Sequence, residues 1–174
     1  AGELYEEAAK DEKCALGCYN YGRFLEFGLG HVKWNLEKAV YYYRKAVVEE
    51  YVKAYCKMGD LHVVGRALKK DLNEAFKWYY KAAEQNDPYA QNMVAGFYKR
   101  GDGGVEKDYN AAFAWRMKAA EQGYAPAQTN VGECYVNGMG CEKDFAKALL
   151  WLEKAAEQGD VVATSDMGWC YAKG

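Results

Sequence analysis

The chain has 174 residues, 51% of them hydrophobic and 28% charged, which is enough to bury one large core and excludes both a disordered chain and a small domain that needs staples. Its 23 basic and 25 acidic residues leave a formal net charge of -2, so it lacks the single-sign field that attracts nucleic acid or an acidic membrane. No apolar run approaches the roughly 20 residues that cross a bilayer, and two prolines among abundant Ala, Lys, Glu and 16 tyrosines predict an all-α fold of helices packed on one another.

In chain order, the opening "AGELYEEAAKDEK" is too polar for the apolar segment of a secretory signal, although a chain that starts without Met leaves room for a removed leader. Residues 3 to 13 read as the second helix of an earlier repeat unit. Four full units follow, at 15–51, 52–87, 88–124 and 125–160, and 161–174 is a bare first helix, for roughly ten helices in one domain over 1–174, with 1–14 and 161–174 as partial units. Internal periods of 20 to 50 residues mark solenoids. Here Asn35, Asp71, Asp108 and Asp144 form one column at spacings of 36, 37 and 36.

The first helix of each unit is expected to run from a recurring Ala (Ala54, Ala90, Ala127, Ala163) to the residue before a recurring Gly (Gly65, Gly101, Gly138, Gly174). Gly22 and Gly28 open the same series. Between them stand the columns Gly59, Ala95, Gly132 and Gly168 and His62, Tyr98, Tyr135 and Tyr171. Ala127, Val131 and Tyr135 lie on one helical face. The second helix begins after the Asn/Asp column, whose short side chains cap free backbone N–H groups, and Asp71 with Glu74 has the spacing of a capping box. Ala39, Ala75, Ala112 and Ala148 follow, then Tyr42, Trp78, Trp115 and Trp151, then Lys45, Lys81, Lys118 and Lys154, each before an Ala.

"KAAEQG" occurs at Lys118 to Gly123 and again at Lys154 to Gly159, with "KAAEQ" at Lys81 to Gln85 and "KAVVEE" at Lys45 to Glu50. It reads as a joint. Gly123 and Gly159 stop the helix in the left-handed conformation, Asn86 fills the same column, and Pro88 and Pro126 come at or near the start of the next helix. Glu50 breaks the pattern, so its turn is expected to be shaped differently or defined less sharply.

These residues resemble the Sel-one-like repeat (SLR) family, a relative of the tetratricopeptide repeat, whose pattern is roughly A-x3-L-G-x2-Y-x2-G-x-G-V-x2-D-x2-K-A-x2-W-x2-K-A-A-x2-G. The fourth unit, "APAQTNVGECYVNGMGCEKDFAKALLWLEKAAEQG", meets nearly every position, with Val131 for Leu and Cys141 for Val. Departures are local. The first unit has Asn35 for Asp, Gly17 for Ala and an extra residue around His31; the second has Ala67 for the second Gly; the third has an extra Gly at Gly103-Gly104. They bear on loop shape. The resemblance implies a right-handed α-solenoid of helix-turn-helix repeats, about 36 to 37 residues each, used as a protein-binding scaffold or adaptor. Family members act in ER-associated degradation, bacterial envelope signalling and host contact. A cysteine-rich bacterial subgroup is linked to β-lactam binding and hydrolysis, which sets an enzyme on β-lactams as the alternative.

That subgroup carries one disulfide per unit at fixed columns. Of Cys14, Cys18, Cys56, Cys134, Cys141 and Cys170, only Cys134 and Cys170 share a column, so they read as reduced core thiols, with Cys134 to Cys141 as the pair to consider for a disulfide. Such usage tilts the compartment toward reducing cytosol, with ER lumen and secreted or periplasmic settings left open. Cys14-x3-Cys18 lacks the further ligands that zinc needs, and neither His31 nor His62 has an evident catalytic partner. "GDGGVEKD" at Gly101 to Asp108 lacks the Lys-Ser/Thr of a phosphate loop and follows a helix, so it reads as an interhelix turn. No catalytic, cofactor or metal residue is assigned. Of Tyr41-Tyr42-Tyr43, Tyr42 belongs to the Trp column, while Tyr41 and Tyr43 either pack in the core or stand exposed for contact.

In a superhelix of this class the first helices line the concave side. The stripe of theirs that does not serve the core contains Tyr19, Arg23 and Glu26, then Cys56, Asp60 and Val63, then Asn92, Gly96 and Lys99, then Thr129, Glu133 and Val136, then Ser165 and Trp169. Mixed charge with aromatic anchors suits a protein or peptide partner, with Tyr19, Arg23 and Trp169 as the anchors. Nucleic acid and membrane insertion are not expected. Because the chain starts and ends inside a unit, the array is expected to continue or to meet a cap or partner, and a spacer that self-associates end to end is a third reading.

Overall fold

A computed structural model describes residues 2–10 and 14–173. Among them are α1 (Gly2–Lys10), α2 (Ala15–Phe27), α3 (Leu36–Val48), α4 (Val52–Val64), α5 (Leu72–Glu84), α6 (Pro88–Arg100), α7 (Tyr109–Glu121), α8 (Ala125–Asn137), α9 (Phe145–Glu157) and α10 (Val161–Lys173), with no strand. The Gly expected to end a helix at 174 and the tail of the helix expected over 3–13 lie outside the described residues. The fold is the all-α helical-repeat solenoid that the periodicity predicts. Its contacts gather into two compact units, Ala1–Ala82 and Ala83–Gly174.

The Asn/Asp column starts every second helix. Asn35 Oδ1 accepts from Lys38 N at 2.9 Å, Asp71 Oδ1 from Glu74 N at 3.0 Å, Asp108 Oδ1 from Ala111 N at 3.0 Å and Asp144 Oδ1 from Lys147 N at 2.9 Å. The reciprocal leg of a capping box is replaced at Asp71. Its own N–H goes to His62 O at 3.0 Å, and Glu74 Oε1 takes Lys77 Nζ at 2.6 Å instead. The same closing bond recurs from Asn35 N to Leu25 O (2.8 Å), Asp108 N to Tyr98 O (2.9 Å) and Asp144 N to Tyr135 O (3.0 Å). One clamp therefore closes all four turns, and the extra residues near His31 and at Gly103-Gly104 are taken up inside it.

The first helices begin two residues before the expected Ala, at Val52, Pro88, Ala125 and Val161. Their caps lie three residues upstream of that Ala: Asp87 Oδ1 accepts from Ala90 N at 2.9 Å and Asp160 Oδ1 from Ala163 N at 3.1 Å. Each of α2, α4, α6 and α8 ends on a left-handed Gly.

Two expectations about turns are corrected. Glu50 takes φ 55°, alongside Asn86 at 65°, Gly123 at 86° and Gly159 at 87°, and Tyr51 N bonds Ala46 O at 3.0 Å as Tyr124 N bonds Ala119 O at 3.2 Å. The turn after "KAVVEE" is thus the same joint, made at a cost by a side-chain-bearing residue. Ala67, at φ 64°, likewise keeps the conformation of Gly30 and Gly140. In both places the hydrogen bonds of the turn outweigh roughly 1 to 2 kcal/mol of left-handed strain.

Packing explains the recurring letters. In the compact unit Ala1–Ala82, Ala9, Cys18, Tyr21, Leu25, Ala39, Tyr43, Ala46, Ala54 and Met58 belong to one buried cluster. In the compact unit Ala83–Gly174, Ala119, Ala120, Ala127 and Val131 form one, and Ala148, Leu152, Ala155, Ala163 and Cys170 another. The residue after the Trp column, which sequence reasoning passed over, is buried in every unit: Tyr43, Tyr79, Arg116, Leu152. Tyr43, Tyr79 and Leu152 fill the space left by the glycines of the Gly column. A Cβ on Gly22 would stand 2.7 Å from Tyr43, on Gly59 2.8 Å from Tyr79 and on Gly132 2.6 Å from Leu152. Tyr43, one of the two tyrosines with a core or contact reading, is therefore core, while Tyr41 is exposed with its ring edge-on to Tyr42 at 5.2 Å.

The joint does more than turn the chain. Its lysines lie over the indoles one turn earlier, Lys81 5.0 Å from Trp78, Lys118 4.2 Å from Trp115 and Lys154 4.3 Å from Trp151. Its glutamines reach the neighbouring helix, Gln122 Nε2 to Gln91 Oε1 and Gln158 Nε2 to Gln128 Oε1, each at 2.8 Å.

Candidate partner-binding face

In the first unit the expected stripe divides. Arg23 is exposed. Tyr19 is only partly so, its ring 5.7 Å from that of Tyr43 and 5.1 Å from that of Tyr51. Burial raises its phenol pKa, and the Arg23 charge opposes the rise. Glu26 is 8% exposed and does not face outward: its Oε2 accepts from Tyr43 OH at 2.6 Å and its Oε1 pairs with Lys57 Nζ at 2.8 Å. This ties α2 to α3 and α4. Burial and then the Glu26 hydrogen bond push the Tyr43 phenol far up. Asp60 repeats the arrangement one unit on, accepting from Tyr79 OH at 2.7 Å. Cys56 is buried and Val63 partly so.

In the compact unit Ala83–Gly174, Asn92 of α6 and Asn130 of α8 join side chains at 3.1 Å. Thr129 is buried and bonds Ala125 O at 3.3 Å and Asp160 Oδ2 at 3.1 Å, so it secures the next helix and presents little to solvent. Lys99 and Gly96 are partly exposed and Ser165 is exposed. Glu133 and Val136 of α8 meet Trp169 of α10 at one cleft of about 290 Å³, which Asn137 and Asp166 also line. The structure thus brings together three of the expected side chains, Glu133, Val136 and Trp169, the first and last of which stand 36 residues apart in sequence. The missed signal is Asp166, three residues before Trp169 on the same helix.

A larger concavity of about 920 Å³ lies in the first unit, among Glu3 and Glu6, Tyr21 and Phe24 and the loop carrying His31 and Trp34. The extra loop residue helps to form it. His62 Nδ1 lies 3.3 Å from Lys69 O.

None of the six cysteines forms a disulfide in the structure. Cys14 has a role the sequence did not suggest: its Sγ accepts from Gly17 N at 3.3 Å and caps α2. Cys134 Sγ accepts from Arg116 Nη1 at 3.1 Å, inside the compact unit Ala83–Gly174. Among the described residues no three His, Cys, Asp or Glu side chains group as metal ligands, and no helix is long and apolar enough to cross a membrane.

The model of the Sel1 repeat family matches residues 15–47, 52–87, 88–124 and 125–160. The crystal structure of a Sel1 repeat protein from Oxalobacter formigenes superposes with a TM-score of 0.86 at 34% identity, covering 95% of this chain and 65% of that one. That of c5321, a protective antigen of uropathogenic Escherichia coli with an SLR fold, gives 0.92 at 29% identity over 99% of this chain and 36% of its own. A sel1-like repeat-containing protein of Acanthamoeba polyphaga mimivirus is 33% identical over 76 residues, 44% of this chain and 14% of its own length. The chain thus spans less than two thirds of each of these relatives.

Proposed function

The chain belongs to the Sel1 repeat family, whose fold typically serves protein–protein interaction, and from that premise we propose a non-enzymatic scaffold that binds a protein or peptide partner through the face carried by its first helices. One observation carries this reading. The recurring Ala columns are buried, whereas the single position occupied by Arg23, Asp60, Gly96, Glu133 and Trp169 changes chemistry from helix to helix and is partly or fully exposed in each. A surface whose letters vary while its support repeats encodes partner choice on a constant frame. Each compact unit carries its own section of this face.

The test replaces Arg23, Lys99 and Glu133 together by Ala. None of the three supports the buried columns, so helicity and melting temperature should stay within a degree or two of the parent, while partners captured by the parent from cell extract and identified by mass spectrometry should be lost. Capture of the same partners by the triple variant excludes this face.

A further inference from the structure

We infer that the cleft between α8 and α10 receives an arginine side chain of the partner; this rests on the scaffold reading and names the chemistry of one of its contacts. The cleft is lined by Glu133, Val136 and Asn137 from one helix and Asp166 and Trp169 from the other, with two carboxylates and no basic side chain. Its volume, about 290 Å³, lies at the small end of the roughly 300 to 1,000 Å³ of ordinary ligand pockets, which suits one long side chain better than a whole structural element.

Its two acids only accept when ionised. Asn137 spends one of its two Nδ2 hydrogens on Glu133 O at 2.9 Å and keeps its amide oxygen as a further acceptor. The indole of Trp169 is 47% exposed and is held from the side by Phe145, ring centroids 6.0 Å apart. An aromatic face held open beside two carboxylates attracts a cation.

Among cations, arginine fits the layout. Its planar guanidinium stacks on an indole and spreads five donors in a fixed fork, so it can meet carboxylates arriving from two helices, while its stem lies along Val136. Lysine brings a compact, strongly hydrated point charge. An apolar or acidic occupant would cover Glu133 and Asp166 without pairing them, and the desolvation cost would reject it.

The experiment titrates the whole chain with N-acetyl-arginine amide and follows the Trp169 indole N–H, identified through Trp169→Phe, in amide NMR spectra. A saturable shift of that signal and of the Glu133 and Asp166 amides is expected. The neutral isostere N-acetyl-citrulline amide should bind about 10-fold more weakly, equivalent to roughly 1.4 kcal/mol, and the lysine analogue several-fold more weakly. Glu133→Gln with Asp166→Asn should abolish the arginine shift while the free spectrum stays folded. Equal binding of citrulline or lysine, persistence of the shift in the double variant, or no saturable shift at Trp169 overturns the inference. The scaffold reading falls separately: it fails if the Arg23, Lys99 and Glu133 variant keeps its captured partners, whatever the indole does.

Discussion

At the scale of single residues, the chain tolerates local costs that its neighbours outweigh. Glu50 holds φ 55° at a joint where Gly123 and Gly159 hold 86° and 87°. A Cβ at either Gly would meet nothing within 4 Å, so the strain at Glu50 is backbone strain and not crowding. Glu50→Gly should therefore raise stability by about 1 kcal/mol, read as a higher urea midpoint at unchanged slope; an unchanged or lower midpoint refutes that account. Arg116 is the opposite case. It is 4% exposed, its Nη1 meets only a thiol at 3.1 Å and its Nε has no partner. Removing a poorly paired buried charge while keeping an unbranched stem favours folding, so Arg116→Met should stabilise by about 1 to 2 kcal/mol in the same assay. Destabilisation would mean that the guanidinium has a stabilising role which its thiol contact does not convey.

At the scale of elements, a helix pair is set by a gap on one helix and a filler on the other. Gly132 of α8 leaves room for Leu152 of α9, and a Cβ there would come within 2.6 Å of the leucine Cγ. Gly132→Ala should cost about 1 to 3 kcal/mol by overpacking. Adding Leu152→Ala should then cost less than Leu152→Ala does in the parent, giving a coupling of at least about 0.5 kcal/mol in a double-mutant cycle. Strict additivity would separate the two residues. The Gly, Ala and Asp columns that define such pairs were legible from periodicity alone. The filler column was not, because Tyr43, Tyr79, Arg116 and Leu152 share a location and no chemistry. Three of them stand opposite a Gly, and only burial against the neighbouring helix makes the four equivalent.

At the scale of the whole molecule, the balance of 23 basic and 25 acidic residues gives no dominant field, and a group of buried and partly buried tyrosines ties stability to alkaline pH. Tyr19, Tyr21, Tyr42 and Tyr43, all in the first unit, have phenols raised above 10.0 chiefly by burial; Tyr21, which also hydrogen-bonds Glu6, is pushed up to about 12. A raised phenol means that the folded chain keeps a proton the unfolded chain releases. The contribution is complete below pH 10.0 and is lost as pH climbs through the folded values, so the urea midpoint should fall from pH 10.0 to about 12. Tyr21→Phe should flatten that fall, and a midpoint independent of pH across the window would contradict it. The sequence by itself determined the class of fold, the repeat and the joints at Asn86, Gly123 and Gly159, because caps, left-handed turns and apolar periodicity are local and repeat. It also marked the first-helix stripe, but only the tertiary structure decided which of its members look outward. Glu26 and Thr129 lie on that stripe yet turn inward, since Tyr43 with Lys57 and Asp160 offer them hydrogen bonds across helices, while Glu133 and Trp169 meet at one cleft with Asp166. Register assigns a side chain to a face; whether it stays there depends on which polar partner the neighbouring helix brings within reach.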